Sequence, residues 1–426
     1  MGRQGNVPRS LFSLCDDIWI LICTVYLRLP DLCRLDSAIG NIRLRKWFLT
    51  DILGSRNSMF LRENPLCSDT AFCLAQSSIH GPLPGSGAMK WIHLRRLHLA
   101  TLFMPPATYP LTDESMKVRN ILFDLIGSNQ LDRLEIIDIN RSCLFLFPLS
   151  DLIGGCYKTL KILDVRLDTM RGDQWFHESV QMQIVIMAKC KKLIAFAASG
   201  YESMNTIEAV VVNNPDLRVF VFGPLTPTYA VLSVINACHK LEHVVMSGVC
   251  DEDRAVLLVE KVHLSLRYIV LSGPVTTNWT VWNLCRYNRG ISTLFLDGCP
   301  QIDNSSLQFI GANQLQLTHI SIVNNKNITK KGIGSLVKSC NFIKSIVLRG
   351  CSKLGDWSMK KIAENCSELT FIDVAECPDV GFAGLLQLGE CCRKLKEVKF
   401  SIGSDDGGSL VVWLSHLYPA VVWSTV

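Results

Sequence analysis

The 426-residue chain lacks an apolar run long enough to cross a membrane. Its most apolar early stretch, IWILICTVYL, spans only residues 18–27, whereas a membrane-spanning helix needs about 20 apolar residues. Asp16 and Asp17 directly precede this stretch, where a secretory signal peptide would carry positive charge. The sequence therefore predicts neither a membrane partner nor secretion, and the stretch is interpreted as a core helix.

Charge is also sparse. Charged residues make up 19% of the chain, and the net charge is +5. No block of lysine and arginine of the nucleic-acid-binding kind occurs; the nearest, RLRK at residues 43–46, is interpreted as a solvated helix end. We therefore expect no nucleic-acid partner, while the 48% share of hydrophobic residues predicts a folded chain with a large interior.

The short motifs that carry chemistry are missing as well. The sequence has no H-E-x-x-H, G-x-S-x-G, P-loop or G-x-G-x-x-G motif. It therefore does not predict a hydrolase or a protein that binds nucleotides or dinucleotides. The best metal-ligand lookalike, CHKLEH at residues 238–243, places His239 after a helix and His243 within a strand, so no shared face is guaranteed. Adjacent Cys391 and Cys392 could suggest redox work, but they occupy the helix-end core position and its neighbour and are predicted to be buried. We expect no catalytic residue, metal or cofactor, and no enzyme.

Cysteine, by contrast, is abundant, with 18 residues in the chain. Without a signal peptide, this number indicates a reducing compartment in which thiols stay free. We therefore expect a cytoplasmic or nuclear protein, or one present in both compartments.

The cysteines belong to an internal repeat. The stretches IKSIVLRGC, LTFIDVAEC and LKEVKFSIG begin at Ile343, Leu369 and Leu395, each 26 residues after the last. The first residue of this L-x-x-L-x-L frame occurs twelve times: at Leu94, Leu134, Leu160, Leu193, Leu217, Leu241, Leu266, Ile291, Leu317, Ile343, Leu369 and Leu395. A short strand-like frame followed by a helical stretch at such a period predicts stacked repeats.

Two positions in each unit explain the cysteines. The eighth position after the first frame residue holds a small side chain in the turn that follows the strand: Cys299, Asn325, Cys351 and Cys377. The other cysteine position is the last residue of the apolar face of the helix, as Cys366 is in SMKKIAENC at residues 358–366. Both positions are predicted to be buried. The helices are predicted to open on capping residues: Asp253, Thr329 and Asp356.

The segment LRGCSKLGDWSMKKIAENCSELTFIDVAEC, residues 348–377, resembles the cysteine-containing subfamily of leucine-rich repeats. The resemblance covers residues 91–404, about twelve units. It implies an α/β leucine-rich-repeat solenoid, or horseshoe, with parallel strands on the concave face and helices outside. Residues 405–426 are interpreted as a C-terminal cap.

Residues 11–50 have helical periodicity without the repeat frame. Their segments L-x-D-D-I-W and YLRLPDLCRL resemble an F-box, the helical module that docks on the Skp adaptor of a cullin ubiquitin ligase. The resemblance implies apolar adaptor-binding anchors at Leu14, Ile18, Pro30 and Leu32. The alternative is an N-terminal cap over the first repeat. Residues 54–90, rich in Gly, Ser and Pro, are predicted to be a linker.

Side chains alternate along a strand, so frame positions 2, 4 and 6 are predicted to face the concave surface. These positions carry an apolar stripe with aromatic and polar borders, which is typical of a recognition surface, although β-branched residues suit any strand. The predicted substrate-binding residues are Val221, His243, Val245, Tyr268, Val270, Phe295 and His319, with Thr293 in the same row. Charged outward positions follow nearer the C-terminus: Arg349, Asp373, Glu397 and Lys399.

Two functions fit these features. The first is a substrate-recognition subunit of an SCF-type cullin ubiquitin ligase, with the Skp adaptor, the cullin scaffold and a protein substrate as partners. The second is a non-catalytic leucine-rich-repeat scaffold or inhibitor whose N-terminal helices serve only as a cap.

Overall fold

A computed structural model of the chain describes residues 90, 94, 101–103, 113–128, 132, 134, 136–138, 149–164, 183–186, 188–197, 204–223, 226, 228–246, 266–274, 276–401 and 407–425. The F-box-like segment 11–50 lies outside the described residues, as does the predicted linker 54–90 apart from Lys90. The described chain forms two compact units, which meet between Leu193 and Ile194 in sequence. No helix in the described ranges is long and apolar enough to span a membrane.

The first unit is built from short strands that alternate with helices. Its elements are β1 (Thr101–Phe103), α1 (Asp113–Gly127), β2 (Ile136–Asp138), α2 (Leu149–Cys156) and β3 (Ile162–Asp164). The three strands are parallel neighbours in chain order. A strand, a crossover helix and a parallel strand beside the first form the expected repeat unit.

The second unit continues the same alternation. Its strands are β4 (Ala195–Ala197), β5 (Val219–Phe222), β6 (His243–Met246), β7 (Tyr268–Ser272), β8 (Thr293–Asp297), β9 (His319–Ser321), β10 (Ser345–Val347), β11 (Phe371–Val374), β12 (Glu397–Phe400) and β13 (Val422–Thr425). Its helices are α3 (Met204–Asn213), α4 (Thr228–Ala237), α5 (Asn278–Tyr287), α6 (Asn304–Asn313), α7 (Lys330–Ser339), α8 (Asp356–Asn365), α9 (Phe382–Cys391) and α10 (Gly407–Leu417). Each strand pairs in parallel with the next. This is the predicted leucine-rich-repeat fold.

The repeat frame positions the strands. From Leu134 to Leu395, each predicted frame is followed by a strand that begins two residues after its first residue. In the unit that begins at Ile343, the three frame residues Ile343, Ile346 and Leu348 are buried, and they pack on the side of the helices. Burying such a side chain stabilises the fold by about 1.5–3 kcal/mol.

The first predicted frame, at Leu94, is wrong. Leu94 is helical and 64% exposed, and the strand of that unit is β1, in which Thr101 is in register with Ile136 of β2. The overlapping stretches 94–99 and 99–104 both fit the apolar frame. The pairing of β1 with β2 selects the second frame, and this pairing between strands cannot be deduced from the local sequence pattern.

The turn after each strand explains the recurrent small residue. The residue just before it has a left-handed backbone in four successive units: Gly298, Asn324, Gly350 and Glu376, with φ between 57° and 70°. Glycine adopts this conformation freely and asparagine tolerates it, whereas an ordinary residue such as Glu376 does so at a cost. The turn then directs the next side chain into the interior.

The predicted burial of these turn residues is confirmed. Cys299, Asn325, Cys351 and Cys377 are all fully buried. The Cys351 thiol donates to the carbonyl of Ile322 at 3.2 Å, and the Cys377 thiol donates to that of Leu348 at 3.1 Å. Each thiol therefore bonds to the strand end of the preceding unit.

The helix-end cysteines are buried too, as predicted. Cys340 and Cys366 cap the C-termini of α7 and α8, and the Cys340 thiol donates to the Gln314 carbonyl at 3.3 Å. All cysteines within the described ranges are free thiols, and only Cys391 among them is exposed. The predicted burial of the adjacent pair is therefore confirmed for Cys392 and wrong for Cys391, which lies one residue before the buried helix end. Burial raises the pKa of Cys366 to about 12, so these thiols serve as core side chains.

Helix capping partly differs from expectation. Thr329 is the N-cap of α7, and its hydroxyl accepts from the Lys331 amide at 3.3 Å, as predicted; Asp253 lies outside the described residues. Asp356 is not the cap of its own helix, because Gly355 holds that position. Its carboxylate instead accepts at 2.7 Å from the amide of Gly381, the N-cap of α9.

The same contact between units occurs at the helices two and three positions before α8, which are α6 and α5. The Asn304 side chain accepts from the Thr329 amide at 2.9 Å, and that of Asn278 accepts from the Asp303 amide at 3.1 Å. Equivalent turns stack on one another, so a side chain one residue inside a helix reaches the start of the next helix. This satisfies amides that a helix N-terminus leaves without partners.

The segment predicted as a C-terminal cap, residues 405–426, contains α10 and β13. Strand β13 pairs in parallel with β12, with Trp423 opposite Val398. The segment therefore repeats the helix and strand of the preceding units, although it lacks the leucine frame.

Candidate recognition surface on the strand face

The strand face is the side of the strands in the second unit that points away from the helices. The structure brings the predicted substrate-binding residues into two rows on this face. Val221, Val245, Val270 and Phe295 are in register across β5 to β8. His243, Tyr268, Thr293 and His319 are in register across β6 to β9. The predicted juxtaposition is therefore confirmed; its role in binding stays a prediction.

The expected exposure is wrong for part of this face. Val221 is fully buried, and Val245 and Tyr268 are buried as well. In β5 all four residues are buried, so the alternation of buried and exposed side chains is lost there. Val221 lies in register between Ala197 and Val245, and neighbouring strands only 4.7–4.9 Å apart shield one another's side chains.

The exposed part of the face begins farther along the sheet. Val270 and Phe295 are half-buried, as are His243 and His319 at the row ends, whereas Thr293 is 8% exposed. In β7 and β8 the outward positions are more exposed than the inward ones, as alternation requires. A partner can therefore reach the face at β7 to β9.

Three ring systems, the aromatic row, lie side by side across β6 to β8: His243, Tyr268 and Phe295. The ring centroids of His243 and Tyr268 are 5.6 Å apart, and those of Tyr268 and Phe295 are 5.8 Å apart. These tilted and edge-on arrangements suit the quadrupoles of aromatic rings. His243 and Phe295, the half-buried rings, flank the buried Tyr268, so the accessible part of the row consists of these two outer rings.

The predicted charged positions form a second group, the charged row: Arg349, Asp373, Glu397 and Lys399. The Arg349 guanidinium donates to the Asp373 carboxylate at 3.2 Å, and Lys399 Nζ lies 3.4 Å from Glu397 Oε1. Lys399 Nζ also lies 5.5 Å from the centroid of the Phe371 ring. The four charges are therefore held in defined positions by one another.

Asp373 is the most buried member of the charged row, with 6% of its surface exposed. Besides the bond from Arg349, its Oδ1 accepts from the Ala375 amide at 3.0 Å. A carboxylate buried to this degree requires such partners. Asp373 thus positions Arg349, whose side chain is one-third exposed and able to contact a partner.

Between the two rows lies a pair that the sequence analysis missed, Asp297 and Ser321. The Ser321 hydroxyl donates to Asp297 Oδ1 at 2.6 Å, and the Val323 amide donates to the same atom at 3.2 Å. Burial raises the pKa of Asp297, while these two hydrogen bonds lower it in part. The signal available in the sequence was an acidic residue at the sixth frame position of β8, directed to the strand face.

Comparisons with known proteins bear on the family. No family model matches the chain. The F-box protein SKIP1 of Arabidopsis thaliana is 30% identical over 95 residues, which make up 22% of this chain. The matched part spans 30% of the length of that relative.

Two solved structures share a general likeness. A chain from the crystal structure of the Rad7 and Elc1 complex in yeast has a TM-score of 0.48 and 16% identity, covering 68% of this chain and 85% of that chain. The leucine-rich repeat-containing protein LegL7 from Legionella pneumophila has a TM-score of 0.41 and 10% identity, covering 60% of this chain and 91% of that chain.

The described repeats form a leucine-rich-repeat fold, and a short part of the chain is similar to an F-box protein. The predicted adaptor-binding residues Leu14, Ile18, Pro30 and Leu32 lie outside the described residues, so their role stays a prediction. The strand face, which is described, carries the other predicted contact surface.

Among the described residues, no group of three or more His, Cys, Asp or Glu side chains is placed to hold a metal ion. His243, from the metal-ligand lookalike, instead belongs to the aromatic row, and its Nε2 lies 3.9 Å from Glu242 Oε2. His239 is exposed in the turn before β6.

Proposed function

We propose that the protein is a substrate-recognition subunit of an SCF-type cullin ubiquitin ligase. The observation that carries this proposal is the match to an F-box protein in a chain that folds as leucine-rich repeats. The N-terminal module docks on the Skp adaptor and, through it, on the cullin scaffold. The strand face binds a protein substrate in the cytoplasm or nucleus.

The contribution of such a subunit is positional and not catalytic. Holding a target beside a ubiquitin carrier converts an encounter in solution into an intramolecular reaction, which raises the effective concentration of the target lysine. On the strand face, Phe295 and Val270 provide apolar contact, and His243 and His319 border it. The buried Val221, Val245 and Tyr268 lie beside that surface in the same rows and pack against its edge. The charged row orients the target through Arg349.

Adaptor binding tests the proposal. Purified full-length protein is mixed with the tagged Skp adaptor and recovered on beads, as wild type and as Leu14→Asp and Leu32→Asp. A buried charge at an apolar anchor costs several kcal/mol of binding free energy. We therefore expect neither variant to be recovered on the adaptor beads. Ser37→Asp, in the same segment but outside the matched anchors, is the control and should bind as wild type does. Equal recovery of all four proteins would refute this docking.

The competing function, a scaffold with an N-terminal cap, rests on the need of repeat proteins to cover the apolar end of a stack. Removing residues 1–53 separates the two. A shortened chain that stays soluble and monomeric supports the adaptor-binding function. A shortened chain that aggregates while wild type fails to bind the adaptor supports the cap.

A further inference from the structure

A second surface lies on the helices of the second unit, away from the strand face. A cleft of about 950 Å³ opens among α6, α7 and α8. Its charged side chains are three lysines and one glutamate: Lys331, Lys338, Lys361 and Glu364. Trp357 also lines it. The volume falls within the range of clefts that bind ligands or peptide side chains.

The charges in the cleft are not balanced. Lys361 Nζ lies 2.6 Å from Glu364 Oε2, so the single carboxylate is already paired. Lys331 and Lys338 are exposed, and neither forms an ion pair with any carboxylate in the described part of the chain. The cleft therefore has an excess of positive charge that a ligand would have to neutralise.

The position of Lys331 adds to this excess. Lys330 and Lys331 are the first two residues of α7, and no acidic residue occurs in that first turn. The N-terminus of a helix carries a partial positive charge and favours acidic side chains. Two lysines there raise the local positive potential at a cost to the helix, and an anionic ligand would relieve that cost.

Trp357 gives the cleft an apolar wall. Its side chain is 44% exposed, and the indole lies against Gly334 of α7, where a Cβ atom would come within 3.2 Å of Trp357 Cη2. The ammonium groups of Lys330 and Lys361 lie 5.9 Å and 5.6 Å from the indole centroid. Glycine on one side and two cations around the ring fix its orientation.

We propose that this cleft binds an acidic segment of a partner protein. Glutamate or aspartate side chains of the segment pair with Lys331 and Lys338, and an apolar side chain of the segment packs on Trp357. A nucleic acid fits less well, because no arginine lines the cleft and arginine is the preferred partner of phosphate. The site is separate from the strand face and does not depend on adaptor docking.

Fluorescence anisotropy on the full-length chain tests the proposal. The probe is a fluorescein-labelled peptide of glutamates with a single central phenylalanine. We expect saturable binding that weakens as salt rises from about 50 to about 300 mM. Lys331→Glu combined with Lys338→Glu should weaken binding by at least about tenfold, since two charges that attract the peptide become two that repel it. The first substitution also suits the helix N-terminus, so folding is retained.

The matched control reverses two lysines that lie outside the cleft. Lys326→Glu with Lys360→Glu changes the net charge equally, both residues being exposed, and should alter affinity by less than about twofold. Gly334→Ala tests the aromatic wall. Alanine is the better helix former, so the fold persists. Its Cβ would lie 3.2 Å from Trp357 Cη2, so the indole must shift slightly, and we expect peptide affinity to fall. Thermal unfolding checks that all variants fold.

Three outcomes would overturn the proposal. The first is an absence of saturable peptide binding at low salt. The second is an equal loss of affinity in both double variants, which would mean that only net charge matters. The third is tighter binding of a single-stranded oligonucleotide of the same charge, which would assign the cleft to nucleic acid.

Discussion

Asn325 offers the sharpest test of how the repeats are held together. It is fully buried in the turn after β9, at the position that cysteine holds in neighbouring units. Its amide group donates to the carbonyls of Cys299 and Ile302 at 2.9 and 3.0 Å. Its oxygen accepts from the amides of Asn327 and Ile328 at 2.8 and 3.1 Å. Asn325→Ala removes all four bonds at once.

The cost can be worked out from what each group loses. The Cys299 carbonyl also accepts from the Ile302 amide, and water can reach the amide of exposed Asn327. The Ile302 carbonyl and the Ile328 amide remain buried without a partner, at about 1–3 kcal/mol each. We therefore expect Asn325→Ala to lower the free energy of unfolding by about 4 kcal/mol.

Urea unfolding of the full-length chain, followed by circular dichroism, measures this loss as a shift of the midpoint. The control is Asn327→Ala, which removes one exposed bond to the Pro300 carbonyl and should cost at most about 1 kcal/mol. Asn325→Cys should recover part of the loss, because Cys351 holds the same position one unit later. A cost for Asn325→Ala no larger than that of the control would refute the reasoning.

Three further predictions concern single residues. In native protein, a small maleimide mapped by mass spectrometry should modify Cys391 before any other described cysteine, since only it is exposed; early labelling of Cys351 would contradict the packing. Glu376→Gly should raise the free energy of unfolding by up to about 1 kcal/mol, because it relieves a left-handed φ of 60°; a loss measured in urea would count against the strain. The raised pKa of Asp297 means that its protonation favours the folded state, a contribution present below pH 3.8 and lost as pH rises through the folded pKa. The free energy of unfolding of wild type minus that of Asp297→Asn should therefore fall as pH rises from 3.8 through the raised pKa of Asp297 in the folded protein. A difference that does not change with pH would contradict a raised pKa.

The sequence was sufficient for the local architecture. The leucine frame predicted every strand from β2 to β12, because the alternation of apolar residues is a property of a few consecutive residues. The burial of Cys351 and Cys366 followed from their place in that frame. The frame failed at Leu94, where two overlapping registers fit and only contact with β2 decides between them.

Features that depend on neighbouring units were not predictable from one unit. Asp356 looked like the cap of its own helix, but its carboxylate accepts from the N-cap amide of the next helix, 25 residues on. Ser321 bonds to Asp297 across 24 residues. Val221 occupies a position that alternation assigns to the strand face, yet it is fully buried between Ala197 and Val245 of the neighbouring strands. Such contacts arise from stacking, which the frame of a single unit does not encode.

The two candidate binding surfaces also differ in how far the sequence predicted them. Sequence placed His243, Tyr268 and Phe295 in neighbouring strands, which became the aromatic row. It did not indicate the cleft at Trp357, because that cleft combines side chains from three successive helices.

The most direct test of the proposed function is a calorimetric titration of the full-length chain with the purified Skp adaptor. The account predicts saturable one-to-one binding that Leu14→Asp weakens by about a hundredfold or more, as expected for loss of an apolar anchor at an interface. Absence of binding by the wild-type chain, or equal affinity of wild type and Leu14→Asp, would contradict it.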